Sequence, residues 1–306
     1  MGGPNNLNEV ELFLKNMFND ENIITVKSQL LRKFIAFMIV KGRKKAAIEN
    51  YKEIGGKSPL VKNTKKLVKK LQEKSEDIHI TFAMRYTPPF SKEVVEDLKK
   101  RDIKEVFLLP MYPHYSTTTT KSSLEEFVKT AKELKYDAKI SSVKRFYKEE
   151  GYNKAVIEKI KDRLGSDDSK EFDLIFSAHS LPQKIIDSGD SYKDEIEDNV
   201  KILEDMLKKN ALTFRKIHIA YQSKLGPVKW LEPSLEDKLR ELRDKKIIIY
   251  PISFILDNSE TLQELHIEYA AKAKELGVKD YRVCSCLNDS IIFIDFIHRY
   301  YIDTQY

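Results

Sequence analysis

Short apolar runs rich in β-branched residues recur near Ile80–Tyr86, Glu105–Tyr112, Ala138–Phe146, Asp173–Ala178, Lys216–Gln222, Lys246–Ser253 and Tyr281–Leu287. Between them lie amphipathic stretches: Lys92–Lys100, Ser122–Leu134, Asn153–Leu164, Lys193–Lys208, Leu235–Arg243 and Thr261–Leu276. The runs have strand length and the stretches have helical spacing. Strand–helix–strand repetition packs as parallel sheets with helices on both faces, which predicts an α/β fold. The loop Gly165–Ser169 divides the series and predicts two doubly wound halves, residues 1–165 and 166–306.

In such sheets ligands bind beyond the carboxyl ends of the strands. That rule selects Met84–Pro89, Pro110–Thr120, His179–Ser180, Gln222–Pro227 and Asp257–Glu260 as polar or aromatic tails able to line one cleft. A phosphate loop is excluded: in Gly55-Gly56-Lys57-Ser58 the first glycine of the motif would fall at Tyr51, and Pro59 would break the following helix. No G-x-G-x-x-G follows a strand, so nothing points to a dinucleotide.

His179 ends a buried run and precedes Ser180-Leu181-Pro182. By itself it reads first as a hydrogen-bonded turn histidine and only then as a general base or a metal ligand. His79, His218, His266 and His298 sit in or beside apolar runs and read as structural or surface residues; His114 stays open. Asp257 and Glu260 have capping-box spacing. Yet Glu260, Glu264 and Glu268 step by four along a helix, an arrangement that disfavours an isolated helix by about 0.2–0.5 kcal/mol per pair. A stripe starting at a strand's carboxyl end suits a cation or outward proton movement.

The net charge of +6 over 306 residues is mild and gives no argument for nucleic acid. Cys284 and Cys286 are too few for a disulfide framework and read as reduced buried thiols, which suggests a cytoplasmic protein. No run approaches the roughly 20 apolar residues of a membrane span, and no secretory signal is evident. The segment Lys27–Val40 joins bulky apolar residues to basic ones, and it fits a core helix or an interfacial lip exposing Phe34, Phe37 and Met38.

Taken together, the motifs resemble the ferrochelatase family, whose members insert ferrous iron into protoporphyrin. The matching pieces are Met1–Pro4, Gly55–Leu60, Met84–Tyr86, Met111–Ser116, Phe176–Pro182 with Gly189–Tyr192, Gln222–Leu231, and Asp257–Leu265 with Glu268 and Tyr269. They occur in family order across nearly the whole chain. The resemblance implies two doubly wound, Rossmann-like halves with a cleft between them, the class II chelatase architecture. It implies catalysis and metal contact by His179 and Glu260, with Glu264 and Glu268 continuing a proton or metal path. It implies substrate binding by Met1, Arg85, Tyr86, Tyr115 and Ser116, and it gives the Lys27–Val40 lip a role in peripheral membrane association.

The resemblance further implies protoporphyrin IX and Fe2+ as substrates, a monomer, and no cofactor. With two cysteines in the sequence, a four-cysteine iron–sulfur cluster within one chain is excluded. Three departures stand out. The family's apolar strand before Asn-Met-Gly-Gly-Pro is not in this sequence, so the N-terminal half is expected to be truncated or unusually built. Asn258 replaces a histidine common in the family, and no cysteine-bearing tail follows. The alternatives are a chelatase for coproporphyrin or for another metal such as cobalt, and a tetrapyrrole binder without catalysis.

Overall fold

A computed structural model describes residues 1–224 and 226–305. Leu225, in one of the expected ligand-binding tails, and Tyr306 lie outside the described residues. The chain forms two compact units, Met1–Arg145 and Phe146–Tyr306.

The first unit contains α1 (Val10–Phe18), α2 (Gln29–Glu53), α3 (Leu60–Lys74), α4 (Ser91–Lys100), β1 (Glu105–Leu108), α5 (Ser122–Glu133) and β2 (Lys139–Ser142). β1 and β2 pair in parallel, Glu105 opposite Lys139. α4 and α5 bury Val94, Val95, Leu98, Phe127 and Ala131 against Val106, Leu108 and Ile140 of this sheet. A separate core joins α1 to α2 through Val10, Leu14, Phe18, Ala36 and Val40.

The expected strand Ile80–Tyr86 does not form. Residues 79–83 have no ladder, and Met84 makes only an isolated bridge to Phe90. An apolar run becomes a strand only where a neighbouring backbone accepts its hydrogen bonds. Here the N–H of Met84 goes to the Pro89 carbonyl and that of Tyr86 to the Met1 carbonyl.

The close approach of the N-terminal residues explains the paired glycines. A Cβ on Gly3 would lie 2.6 Å from Ser58, and one on Gly2 would lie 2.5 Å from Thr87 Oγ1.

The second unit runs α6 (Glu150–Leu164), β3 (Phe172–His179), α7 (Gln183–Asp187), α8 (Tyr192–Lys209), β4 (Lys216–Gln222), α9 (Leu235–Glu241) and β5 (Lys246–Pro251). A π-helix, Glu260–Glu268, then leads into α10 (Tyr269–Glu275), β6 (Asp280–Val283) and α11 (Ile291–Gln305). The boundary between units therefore falls at 145/146 and not at the Gly165 loop. The reason is packing: α6 is buried along Ala155, Val156, Ile157 and Ile160, and its Gly151 backbone seats the Phe296 ring of α11.

The sheet of this unit is fully parallel, in the order β4-β3-β5-β6. Ile175, Ile247 and Ile249 pack on one face with Leu235, Leu239 and Leu265. Alternate residues Phe176, Ile248 and Tyr250 are equally buried, so both faces are covered. The chain leaves β3 toward β4 but leaves β5 toward β6. The topological switch therefore opens a crevice at the carboxyl ends of β3 and β5.

Candidate active site

β3 ends on His179, and the segment after β5 leads to Glu260. The switch point thus brings two residues 81 positions apart to one place: His179 Nε2 lies 3.2 Å from Glu260 Oε1. Each side chain is about one-third exposed, at 31% and 35%. His179 Nδ1 lies 2.6 Å from the Ser180 carbonyl. A carbonyl only accepts, so Nδ1 carries a hydrogen and Nε2 faces the carboxylate. Burial opposes a charge on this imidazole. The Glu260 charge and hydrogen bond, the Glu264 charge and the Ser180 carbonyl more than offset it, and the pKa is pushed up to about 9.

Glu260 is free to face His179 because another residue caps its helix. Asn258 Oδ1 accepts the N–H of Glu260 at 2.7 Å and that of Thr261 at 3.4 Å. Asp257 accepts from Thr261 Oγ1, Cys286 N and Asn288 Nδ2. The expected Asp257–Glu260 capping box is therefore absent, and Asn258 takes the duty.

Glu264 follows one turn along the π-helix. Its Oε2 accepts from Ser223 Oγ at 2.5 Å and from Gln222 Nε2 at 3.1 Å. Gln222 is oriented in turn by Ser177 Oγ, which donates to its Oε1 at 2.7 Å. Burial, then the charge of Glu260, raises the Glu264 pKa to about 7 despite these donors. Glu268 is exposed at the far end. The three glutamates thus run from the switch point to solvent. Sequence spacing foresaw the stripe but not the π-helix, whose wider turn is invisible in residue types.

Of the candidate substrate-binding residues of the first unit, Met1, Arg85 and Tyr86 form a second cluster. Arg85 Nη2 pairs with the buried Asp20 carboxylate at 3.0 Å, and its Nε donates to Ser122 Oγ at 3.0 Å. Ser122 Oγ also donates to Asp20. Tyr86 donates to Asp20 at 2.7 Å and is fully buried, so it supports Arg85 and offers a ligand no exposed atom. Burial first, and Asp20 next, hold its phenol well above the usual value.

Met1 accepts the Tyr86 N–H, and its nitrogen meets the Tyr112 hydroxyl. Tyr115 lies in the loop after β1 with the Arg145 guanidinium 5.7 Å from its ring centre. Ser116 is also buried; it caps a short helical turn through the Thr118 N–H at 3.1 Å.

Asp20 was not singled out by the sequence reading. The available signal was a carboxylate just past the C-terminus of α1, where the helix dipole disfavours it. Gln222 and Ser223 appeared only as members of a tail, because their partner Glu264 is distant in sequence. Of the histidines read as structural, His218 is buried with Nε2 3.5 Å from Asp173, and His79 lies 3.7 Å from Asp97.

The second unit alone therefore holds a histidine–carboxylate pair sharing one proton, with an ordered carboxylate behind it. Such a set can exchange that proton for a dication or pass it outward. Among known proteins, SirB from Bacillus subtilis with Fe3+ has a similar fold, with a TM-score of 0.59 at 13% identity over 79% of this chain and 88% of that one.

Curated relatives named ferrochelatase are much closer in sequence. That of Nitratiruptor sp. is 57% identical over 96% of this chain and 94% of its own length. That of Sulfurimonas denitrificans is 55% identical over 96% and 94%, and that of Helicobacter pylori strain J99 is 44% identical over 97% and 89%. The family model described as Ferrochelatase matches residues 1–304, and the chain belongs to the ferrochelatase family.

Proposed function

We propose that this chain is the ferrochelatase of a haem-forming route, a lyase that inserts Fe2+ into protoporphyrin IX with release of two protons. The observation that carries the site assignment is the His179–Glu260 pair, two acceptors held at 3.2 Å around one proton.

Metallation requires two pyrrole protons to leave and the ring to bend so that nitrogen lone pairs face the metal. A pocket fitting the bent ring favours the transition state over the flat substrate. With Nδ1–H committed to Ser180, the His179 ring has Nε2 as its working nitrogen. A pyrrole proton accepted there passes to Glu260 and on to Glu264, whose proton affinity near neutrality suits a relay in both directions. His179 and Glu260 are also the residues that would hold Fe2+ before its transfer, which must be complete before the Nε2 lone pair can take a pyrrole proton; Glu268 is the outer end of the path. The chemistry needs no resident cofactor.

Arg85, steadied by Asp20, supplies positive charge for a propionate, and Tyr115 supplies an aromatic surface for the macrocycle. Met1, Tyr86 and Ser116 contribute by holding these parts. The exposed apolar side of α2 supports the reading of peripheral membrane association: Phe34 is 61%, Phe37 58% and Met38 52% exposed, while Ala36 and Val40 face the core.

The test is anaerobic metallation of protoporphyrin and coproporphyrin with ferrous iron by the wild-type chain, His179→Ala and Glu260→Gln. Loss of a general acid–base group removes about 10²–10⁴-fold in rate. Wild-type turnover in both variants would dismiss the assigned chemistry. Exclusive use of coproporphyrin would replace the substrate assignment.

A further inference from the structure

His179 is held by its main chain as well as by its ring. In β3 the odd-numbered residues direct their peptide groups toward β5: the Ser177 carbonyl accepts from Ile252 N at 3.0 Å. The β3–β5 ladder ends at Ser177 and Pro251, so the N–H and C=O of His179 have no strand partner on that side. Two hydroxyls take the place of the strand. The His179 N–H donates to Ser253 Oγ at 3.0 Å, and the His179 carbonyl accepts from Tyr192 Oη at 2.9 Å.

The two hydroxyl oxygens are themselves 2.6 Å apart. Each hydroxyl has one hydrogen to give. Tyr192 gives its hydrogen to the carbonyl, so the contact between the hydroxyls uses that of Ser253. The three bonds then run in one direction around a closed ring: His179 N–H to Ser253, Ser253 O–H to Tyr192, Tyr192 O–H to His179 C=O. Ser253 follows β5 and Tyr192 opens α8, so the ring ties three elements together at the switch point.

The ring bears on the imidazole through one rigid plane. The His179 carbonyl and the Ser180 N–H belong to the same peptide group. Tyr192 holds the carbonyl, and the Gln222 carbonyl accepts the Ser180 N–H at 2.8 Å from the opposite side. That clamped plane fixes the N and Cα of Ser180, the residue whose carbonyl holds Nδ1–H.

We propose that Tyr192 and Ser253 are positioning residues of the metallation site, whose ring on the His179 main chain aims Nε2 at Glu260. Their hydrogen bonds run to the His179 main chain, so each acts through the peptide groups on either side of the imidazole.

The test uses the full chain with Tyr192→Phe, Ser253→Ala, the double variant and Ser253→Thr, which retains the hydroxyl. Three readouts are taken: kcat and KM for porphyrin metallation, affinity for Co2+ without porphyrin, and the ¹⁵N shifts of the His179 ring. Outer partners of this kind alter metal affinity or activity by about 10–100-fold. Tyr192→Phe and Ser253→Ala are each expected to lower kcat and Co2+ affinity to that extent, with porphyrin KM unchanged and the Nδ1–H signature averaged. Ser253→Thr should restore both. Because either deletion opens the same ring, the double variant should be little worse than a single one.

A fall in thermal stability alone, with kcat, Co2+ affinity and ring shifts as in wild type, would overturn the proposal. So would a double variant whose loss is the product of the two single losses. The activity arm rests on the ferrochelatase reading. The ring shifts need no turnover, so a failure of that reading and a failure of this one are told apart.

Discussion

His179 Nε2 and Glu260 Oε1 face each other across 3.2 Å while Nδ1 is committed to a backbone carbonyl, so the pair at rest holds one proton. Burial disfavours the imidazolium, but the Glu260 charge and hydrogen bond, the Glu264 charge and the Ser180 carbonyl prevail and push the pKa up to about 9. A proton acceptor must be neutral. The kcat/KM profile should therefore rise with pH from neutrality toward about 9. In Glu260→Gln the opposing burial is less countered, so the residual activity should begin its rise at lower pH. Rate profiles of both proteins, read against free-enzyme titration, test this; identical acid limbs would contradict it.

Glu264 gives a stability prediction of opposite design. Its folded pKa is raised to about 7 from 4.5, chiefly by burial and then by Glu260. The unfolded chain loses this proton first, so as pH climbs from 4.5 to 7 the contribution shifts against the folded state. Glu264→Gln keeps an acceptor for Ser223 and Gln222 while removing the charge. Its Tm should exceed that of wild type at pH above 7 and converge with it below 4.5, even as turnover falls. Melting curves across that range decide the matter.

The glycines of the first unit are expected to separate by contact. Gly3→Ala places a methyl group 2.6 Å from Ser58 and should cost about 1–3 kcal/mol by overpacking. Gly42 lies within α2 with nothing inside 4 Å of a new Cβ. Gly42→Ala should instead stabilise by about 0.5–1 kcal/mol through helix propensity. Denaturant midpoints of the two variants should move in opposite directions.

The outer side of α2 should bind anionic lipid. Phe37→Glu leaves the inward Ala36 and Val40 in place, so folding should be unchanged. Co-sedimentation with vesicles rich in anionic headgroups should drop for the variant. Equal sedimentation of both proteins would leave that face without a membrane role.

Much of this was legible along the chain. The periods of the second unit placed β4 at Lys216–Gln222 and β3 within a residue of its ends, since a parallel sheet covered on both faces demands unbroken apolar runs. His179, Glu260 and Glu264 stood out by residue type at strand ends and by spacing. The run at Ile80–Tyr86 has strand composition, but its backbone bonds go to Pro89 and Met1, and propensity cannot report a missing neighbour. Likewise the pairings of Asp20, Gln222, Ser253 and Tyr192 left no mark in the sequence, because their partners lie 40 or more positions away or on the main chain.

The sequence by itself determined the residue types, the periodicities and the order of the elements, all properties of local chemistry and chain direction. Only the tertiary structure decided that the direction of strand addition reverses between β3 and β5, so that His179 and Glu260 share one proton. It also decided that Asn258 caps the π-helix and leaves Glu260 available. These are distances between groups remote along the chain, and no local preference encodes them.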